Sequence, residues 1–210
     1  MERIKLHRLY VRVFHWVNAV AIVMMIMSGW QIYNASPLFS FDFPSAVTLG
    51  GWLGGGIQFH FAVMWVFVLN LLVYLGLGIA RGHFAKDFLP VGPRSVLTDL
   101  GKALRGKLAH DVGRYNAVQK ISYIGVIGAM LLTFLSGLCV WKPVQFQMLA
   151  SLVGGYEGAR LVHFIGMSLI CAFIVMHLAL VLIVPSTLLP MITGWARTSK
   201  HSAQEENHVA

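Results

Sequence analysis

Four long apolar stretches, residues 13–32, 57–80, 121–141 and 161–184, take up most of this chain. Each has roughly the 20 residues a helix needs to cross a hydrocarbon core about 30 Å thick. Inside such a core every backbone polar group must be satisfied internally, so helices are the expected form. The first stretch is too long and too polar at its start for a signal-peptide core, and no A-x-A cleavage pattern follows it, so it reads as a retained span. The expected fold is an all-α integral membrane protein, one transmembrane domain over residues 1–210, built as a four-helix bundle.

Charge placement orients the spans. The net charge is +8, from 16 Lys and Arg against 8 Asp and Glu. Arg3, Lys5, Arg8 and Arg12 precede the first span. Arg81, Lys86, Arg94, Lys102, Arg105, Lys107, Arg114 and Lys120 lie between the second and third, and Arg197 and Lys200 follow the fourth. Only Lys142 and Arg160 fall on the other side. The positive-inside rule then places both termini in the cytoplasm of a bacterial inner membrane. The basic charge is a topology signal and an affinity for anionic lipid, not a nucleic-acid surface.

Two outward loops, 33–56 and 142–160, are long enough to present a surface to a partner. In the inner loop, residues 93–108 carry apolar residues at helical spacing with Arg94, Lys102, Arg105 and Lys107 interleaved, the pattern of a short helix lying in the membrane surface. There is a weak internal echo: Met27, Ser28, Gly29, Trp30 in span one and Leu135, Ser136, Gly137, Leu138 in span three. Gly29 and Gly137 admit close approach of either a flat macrocycle or a neighbouring helix. Cys139 and Cys171 stand alone in spans three and four and read as small apolar residues of a bundle. Without C-x-x-C-H, covalent haem attachment is not expected.

Nine histidines are present. His7, His83, His110, His201 and His208 fall in loops or tails and receive no role. His15, His60, His163 and His177 lie inside spans, where an ionisable group is costly and is a functional candidate by default. The cores of the spans hold no Asp, Glu or Lys to relay a proton. Depth orders the four. With spans one and three running outward and two and four inward, His15 and His177 fall at an inner level and His60 and His163 at an outer one. His163 and His177 are 14 residues apart, about 21 Å and nearly whole turns along a helix, so both project from one face. Two pairs at two depths suit two bis-imidazole haems, whereas zinc would need three or four ligands converging at one point. Filled axial positions leave iron no open site for substrate and favour one-electron transfer. Arg8, Arg12, Arg114 and Lys120 at the inner interface, and Arg160 at the outer, are candidates to pair with haem propionates; any one taken singly reads rather as topology signalling or headgroup binding.

The chain resembles the dihaem cytochrome b subunits of bacterial respiratory enzymes: the membrane subunits of nickel–iron hydrogenase, formate dehydrogenase-N and thiosulfate reductase, with a cytochrome b561-like fold. The resemblance covers residues 5–195 and rests on His15 and Trp16 opening span one, His60, and His163 followed 14 residues later by His177. It implies an inner haem on His15 and His177 and an outer haem on His60 and His163. Tyr115, Asn116, Ala117, Val118, Gln119 and Lys120 resemble the Y-N-A-G-Q-K segment of the formate dehydrogenase type, where the Asn, the Gly and the inner haem's fourth-span His surround a quinone. Val118 departs from that pattern; Asn116 and His177 keep it. The implied role is a membrane anchor passing electrons between a periplasmic oxidoreductase partner, of molybdopterin or hydrogenase type, and ubiquinone or menaquinone. The competing reading is a free-standing cytochrome b561-type superoxide:quinone oxidoreductase, which would need a cationic outer funnel; Lys142 and Arg160 stand against Asp42 and Glu157 there. A transporter would require broken helices or core carboxylates, which the spans lack.

Overall fold

The computed structural model describes residues 2–6, 8–80 and 117–198, with positions 92, 95, 96, 98, 99 and 101 between them. The expected surface helix over 93–108 lies largely outside the described residues, as do Asn116, Arg114 and the five loop and tail histidines. Among the described residues four long helices carry the fold: α1 (Leu9–Ala35), α2 (Leu53–Ala80), α3 (Ala117–Trp141) and α4 (Gly155–Ile183). All four are long and apolar enough to cross a membrane. Their N-termini begin several residues before the apolar runs, because a helix continues into the polar interface after its hydrophobic stretch ends.

α1 packs chiefly on α2, and α3 on α4. The two pairs meet in one core of Ala21 from α1, Phe67, Val68 and Leu71 from α2, Ala129 and Met130 from α3, and Ile170 from α4. Outside that core the helices stay apolar where they face away from the bundle: Val175 is 70 % exposed and Ile79 72 % exposed. In water such a surface would aggregate; in hydrocarbon it is the expected exterior. Trp52 and Trp141 lie toward one end of the bundle and Trp16 and Trp195 toward the other, as in the aromatic belts at membrane interfaces. Cys139 is buried with Ala150 and Ala159 in a smaller cluster, and both cysteines are free.

One end of the bundle is closed by both chain ends. Glu2–Lys5 forms a two-stranded antiparallel ribbon with Trp195–Thr198, and the Leu6 N–H donates to the Gly194 carbonyl at 3.0 Å. The all-α expectation did not include this ribbon. It arises because Pro185 stops α4 and Gly194, at φ 89°, turns the chain back toward the N-terminus. "Inner" below denotes this end and "outer" the opposite one.

The outer end is closed by loops. The Asn34 side chain donates to the Phe43 carbonyl at 2.8 Å and accepts its N–H at 2.9 Å. The Leu49 N–H donates to the Met27 carbonyl at 3.0 Å. These bonds fold the loop back so that Phe43 stacks on Trp30, with ring centroids 4.6 Å apart, and Tyr33, Phe39, Phe41 and Phe164 pack around it. Gly154 and Gly155 start α4 at φ 92° and 79°, backbone that only glycine adopts without strain.

Candidate functional site

α4 contributes one histidine to each level of the bundle. His177 meets His15 of α1 with ring centroids 6.1 Å apart, and His163 meets His60 of α2 at 6.3 Å. The two levels are separated by the apolar core, whose Ile170 lies midway between His163 and His177 in sequence. The structure thus brings together the four span histidines in the same twos that depth assigned.

The spacing suits a metal between each pair. Two imidazoles bound to one metal, each nitrogen about 2 Å from it and about 1.1 Å from its own ring centre, put the centroids about 6 Å apart. Around the outer pair lies a cavity of about 360 Å³, walled by apolar side chains with Thr133, Ser36, Tyr156 and Arg160 among the few polar ones. Apolar walls with a few placed polar groups are what a cofactor site requires.

The rings of the outer pair are held from behind. The Ser28 hydroxyl lies 3.0 Å from His60 Nδ1. His163 Nδ1 lies 2.8 Å from the Thr133 carbonyl and 3.3 Å from the Ser136 hydroxyl. Gly29 and Gly137 are the residues over which these imidazoles sit: a Cβ at Gly29 would come 3.5 Å from His60 Cε1, and one at Gly137 3.0 Å from His163 Cε1. The close approach expected at both glycines is therefore made by a histidine of the neighbouring helix. The two serines were not singled out in the sequence, although the Ser-Gly echo contained them.

The inner pair has aromatic neighbours. Trp16 packs edge-on against His15 at 5.2 Å, and Phe173 stacks on His177 at 5.8 Å and 10°. Trp16 Nε1 also donates to the Met191 carbonyl at 3.2 Å. Arg12, expected at the inner haem, donates through one terminal nitrogen to the Ile192 carbonyl at 2.5 Å, and its buried Nε has no partner among the described residues. Arg160, at the mouth of the outer cavity, pairs with Glu157 at 2.9 Å and donates to the backbone carbonyl and hydroxyl of Ser36.

Residues 6–194 match the family model described as prokaryotic cytochrome b561. The chain belongs to that family. This cytochrome b561 is 50 % identical over 190 residues to a putative protein-methionine-sulfoxide reductase subunit, YedZ1, of Azospira oryzae, with 90 % of the chain and 96 % of the relative aligned. It is 24 % identical to probable Ni/Fe-hydrogenase B-type cytochrome subunits of Cupriavidus necator, covering 80 % of the chain and 74 % of the relative, and of Azotobacter chroococcum, covering 88 % and 84 %. Membership of a cytochrome b family implies b-type haem, and the relatives are named as subunits of redox enzymes. The four-helix architecture fits that class.

Proposed function

We propose that this cytochrome b561 anchors a periplasmic redox enzyme to the bacterial inner membrane and conducts electrons between that enzyme and membrane quinone through two haems b. The observation that carries the reading is the presence of two histidine pairs, each about 6 Å between ring centres, on a shared helix α4. In this reading His15 and His177 hold the inner haem, and His60 and His163 the outer one. Each haem, when bound, would supply reversible one-electron transfer.

The chain's own residues set the surroundings. Arg12 offers its buried Nε–H to an inner propionate. Arg160, oriented by Glu157 and Ser36, lies where an outer propionate would emerge. The apolar core around Ile170 keeps water out between the two levels. Quinone exchanges at the inner end, where the Asn116 amide and the second ring nitrogen of His177 are the donors suited to its carbonyls.

The names of the relatives support one reading of the partner and the direction. A reductase partner draws electrons outward and a hydrogenase partner sends them inward; 50 % identity to the one against 24 % to the other favours outward flow. Quinol then gives up two electrons and two protons. A protein-methionine-sulfoxide reductase consumes two of each in turning a sulfoxide into a thioether and water. That partner would be a molybdopterin enzyme docked on the outer loops. The superoxide-oxidising reading is less well supported, because Lys142 and Arg160 are offset by Asp42 and Glu157 on the outer side, which leaves no cationic funnel.

A pyridine haemochrome assay on purified protein should return two non-covalent haems b per chain. One haem per chain, or haem that resists acid–acetone extraction, would overturn the assignment. Outward flow is tested in membranes holding the chain and its co-purified partner: quinol-reduced haem should reoxidise when a methionine-sulfoxide peptide is added, and haem that stays reduced would rule out that partner.

A further inference from the structure

The Ser-Gly echo in α1 and α3 builds the same arrangement twice. Ser28 Oγ lies 2.7 Å from the Met24 carbonyl and 3.1 Å from that of Met25. Ser136 Oγ lies 2.7 Å from the Leu132 carbonyl and 3.1 Å from that of Thr133. A hydroxyl has one proton to donate, and a carbonyl can only accept. Each serine therefore spends its proton on its own helix and turns lone pairs toward the histidine of the next helix. His60 Nδ1 lies 3.0 Å from Ser28 Oγ. His163 Nδ1 lies 2.8 Å from the Thr133 carbonyl and 3.3 Å from Ser136 Oγ. In both cases an acceptor oxygen lies against Nδ1, the serine at His60 and the serine together with the Thr133 carbonyl at His163, and the glycine after the serine makes room for the ring. An Nδ1 facing only acceptors must carry the proton, so Nε2 is left bare.

We propose that Ser28 and Ser136 are positioning residues which lock His60 and His163 as Nδ1–H tautomers and lower the reduction potential of the outer haem. The inference rests on the reading that this pair holds a haem. An acceptor on Nδ1–H raises the basicity of the ligating nitrogen and favours oxidised iron. At the inner level the ring of His177 stacks on Phe173, and the proposal concerns the outer haem. The plain alternative is that the two buried serines only satisfy themselves on the preceding turn, as helix serines commonly do.

Redox titration and low-temperature electron paramagnetic resonance of the purified holoprotein distinguish these. The outer component is identified as the one missing from His60→Ala. In Ser28→Ala and Ser136→Ala, two haems should be retained and that component should move to higher potential, furthest in the double variant, with an altered resonance position. The inner component should not move. Ser28→Cys, nearly isosteric and a weaker acceptor, should fall between Ser and Ala. An outer component that titrates as wild type in the double variant overturns the inference, and so does an equal shift of both components, which would mark a loosened bundle. If the double variant loses its outer haem, the single variants and Ser28→Cys are judged by the same criteria. If both haem components survive in His60→Ala, the ligand assignment itself is overturned, and this inference with it.

Discussion

His163 and His177 differ in what surrounds them, although both lie on one face of α4. His163 is pressed against Gly137 so closely that a methyl there would approach to 3.0 Å of Cε1 and 3.2 Å of Nδ1. At Gly29 the same addition meets His60 at an ordinary 3.5 Å and 3.8 Å. Gly137→Ala must therefore displace an imidazole held between two helices, while Gly29→Ala need not. Haem content per chain should drop below two in Gly137→Ala and stay at two in Gly29→Ala; equal retention would mean that the glycines do not govern ring placement. The ligand pairs give a second test at this scale. His15→Ala and His177→Ala should abolish one redox component, and His60→Ala and His163→Ala the other. If His15→Ala and His60→Ala removed the same component, the pairing would be wrong.

At the scale of elements, α3 needs help to begin. Its first turn carries no acidic residue. Asp99, from the segment before it, accepts the Ala117 N–H at 2.9 Å, a bond that serves the helix start as a side-chain cap would. Asp99→Ala should destabilise the protein by about 1 kcal/mol, read as a lower melting temperature with unchanged haem spectra, and Asp99→Asn should recover most of it. The residue next to this helix start is Asn116. Asn116→Ala should slow haem reduction by quinol severely and leave both haem spectra intact; normal quinol kinetics would move the quinone site elsewhere. At the other end of the bundle, Arg160 ties α4 to the carbonyl that follows α1. A charge-assisted bond of this kind contributes about 1.5–3 kcal/mol. Arg160→Ala should loosen the outer loop, making residues near Ser36 exchange amide hydrogen faster.

For the whole molecule, the proposed conductor has two different ends. The inner end is tied by the ribbon of both chain ends and by Arg12 and Trp16 reaching Ile192 and Met191. The outer end is apolar and exposed between α3 and α4: Val144 is 80 %, Met148 85 % and Leu152 79 % exposed. Exposed large apolar residues of this sort mark an interaction site when they form a patch, and on this side they are where a periplasmic partner would dock. A photo-cross-linker at Ser40 or Gln147 should capture a soluble redox enzyme from native membranes. Capture only from the 81–110 segment would reverse the orientation.

Much of this was legible in the amino-acid sequence because the membrane leaves few options. Length and apolarity impose four helices, and the alternation of successive spans orders the depth of every histidine on them. Pairing by depth then needed no tertiary information: only His15 and His177, or His60 and His163, share a level. What the sequence could not contain was the side-to-side order of the helices and the rotation of each about its axis. Those follow from packing, here of Ala21, Phe67, Met130 and Ile170 against one another. They decide that Ser28 backs His60 and Ser136 backs His163, contacts between residues 32 and 27 positions apart. They also decide that residues 2–5 pair with 195–198, since a four-residue polar segment has no periodicity to announce a strand. Depth is a one-dimensional property and can be counted along the chain, whereas the azimuth of a side chain exists only once its neighbouring helix is in place.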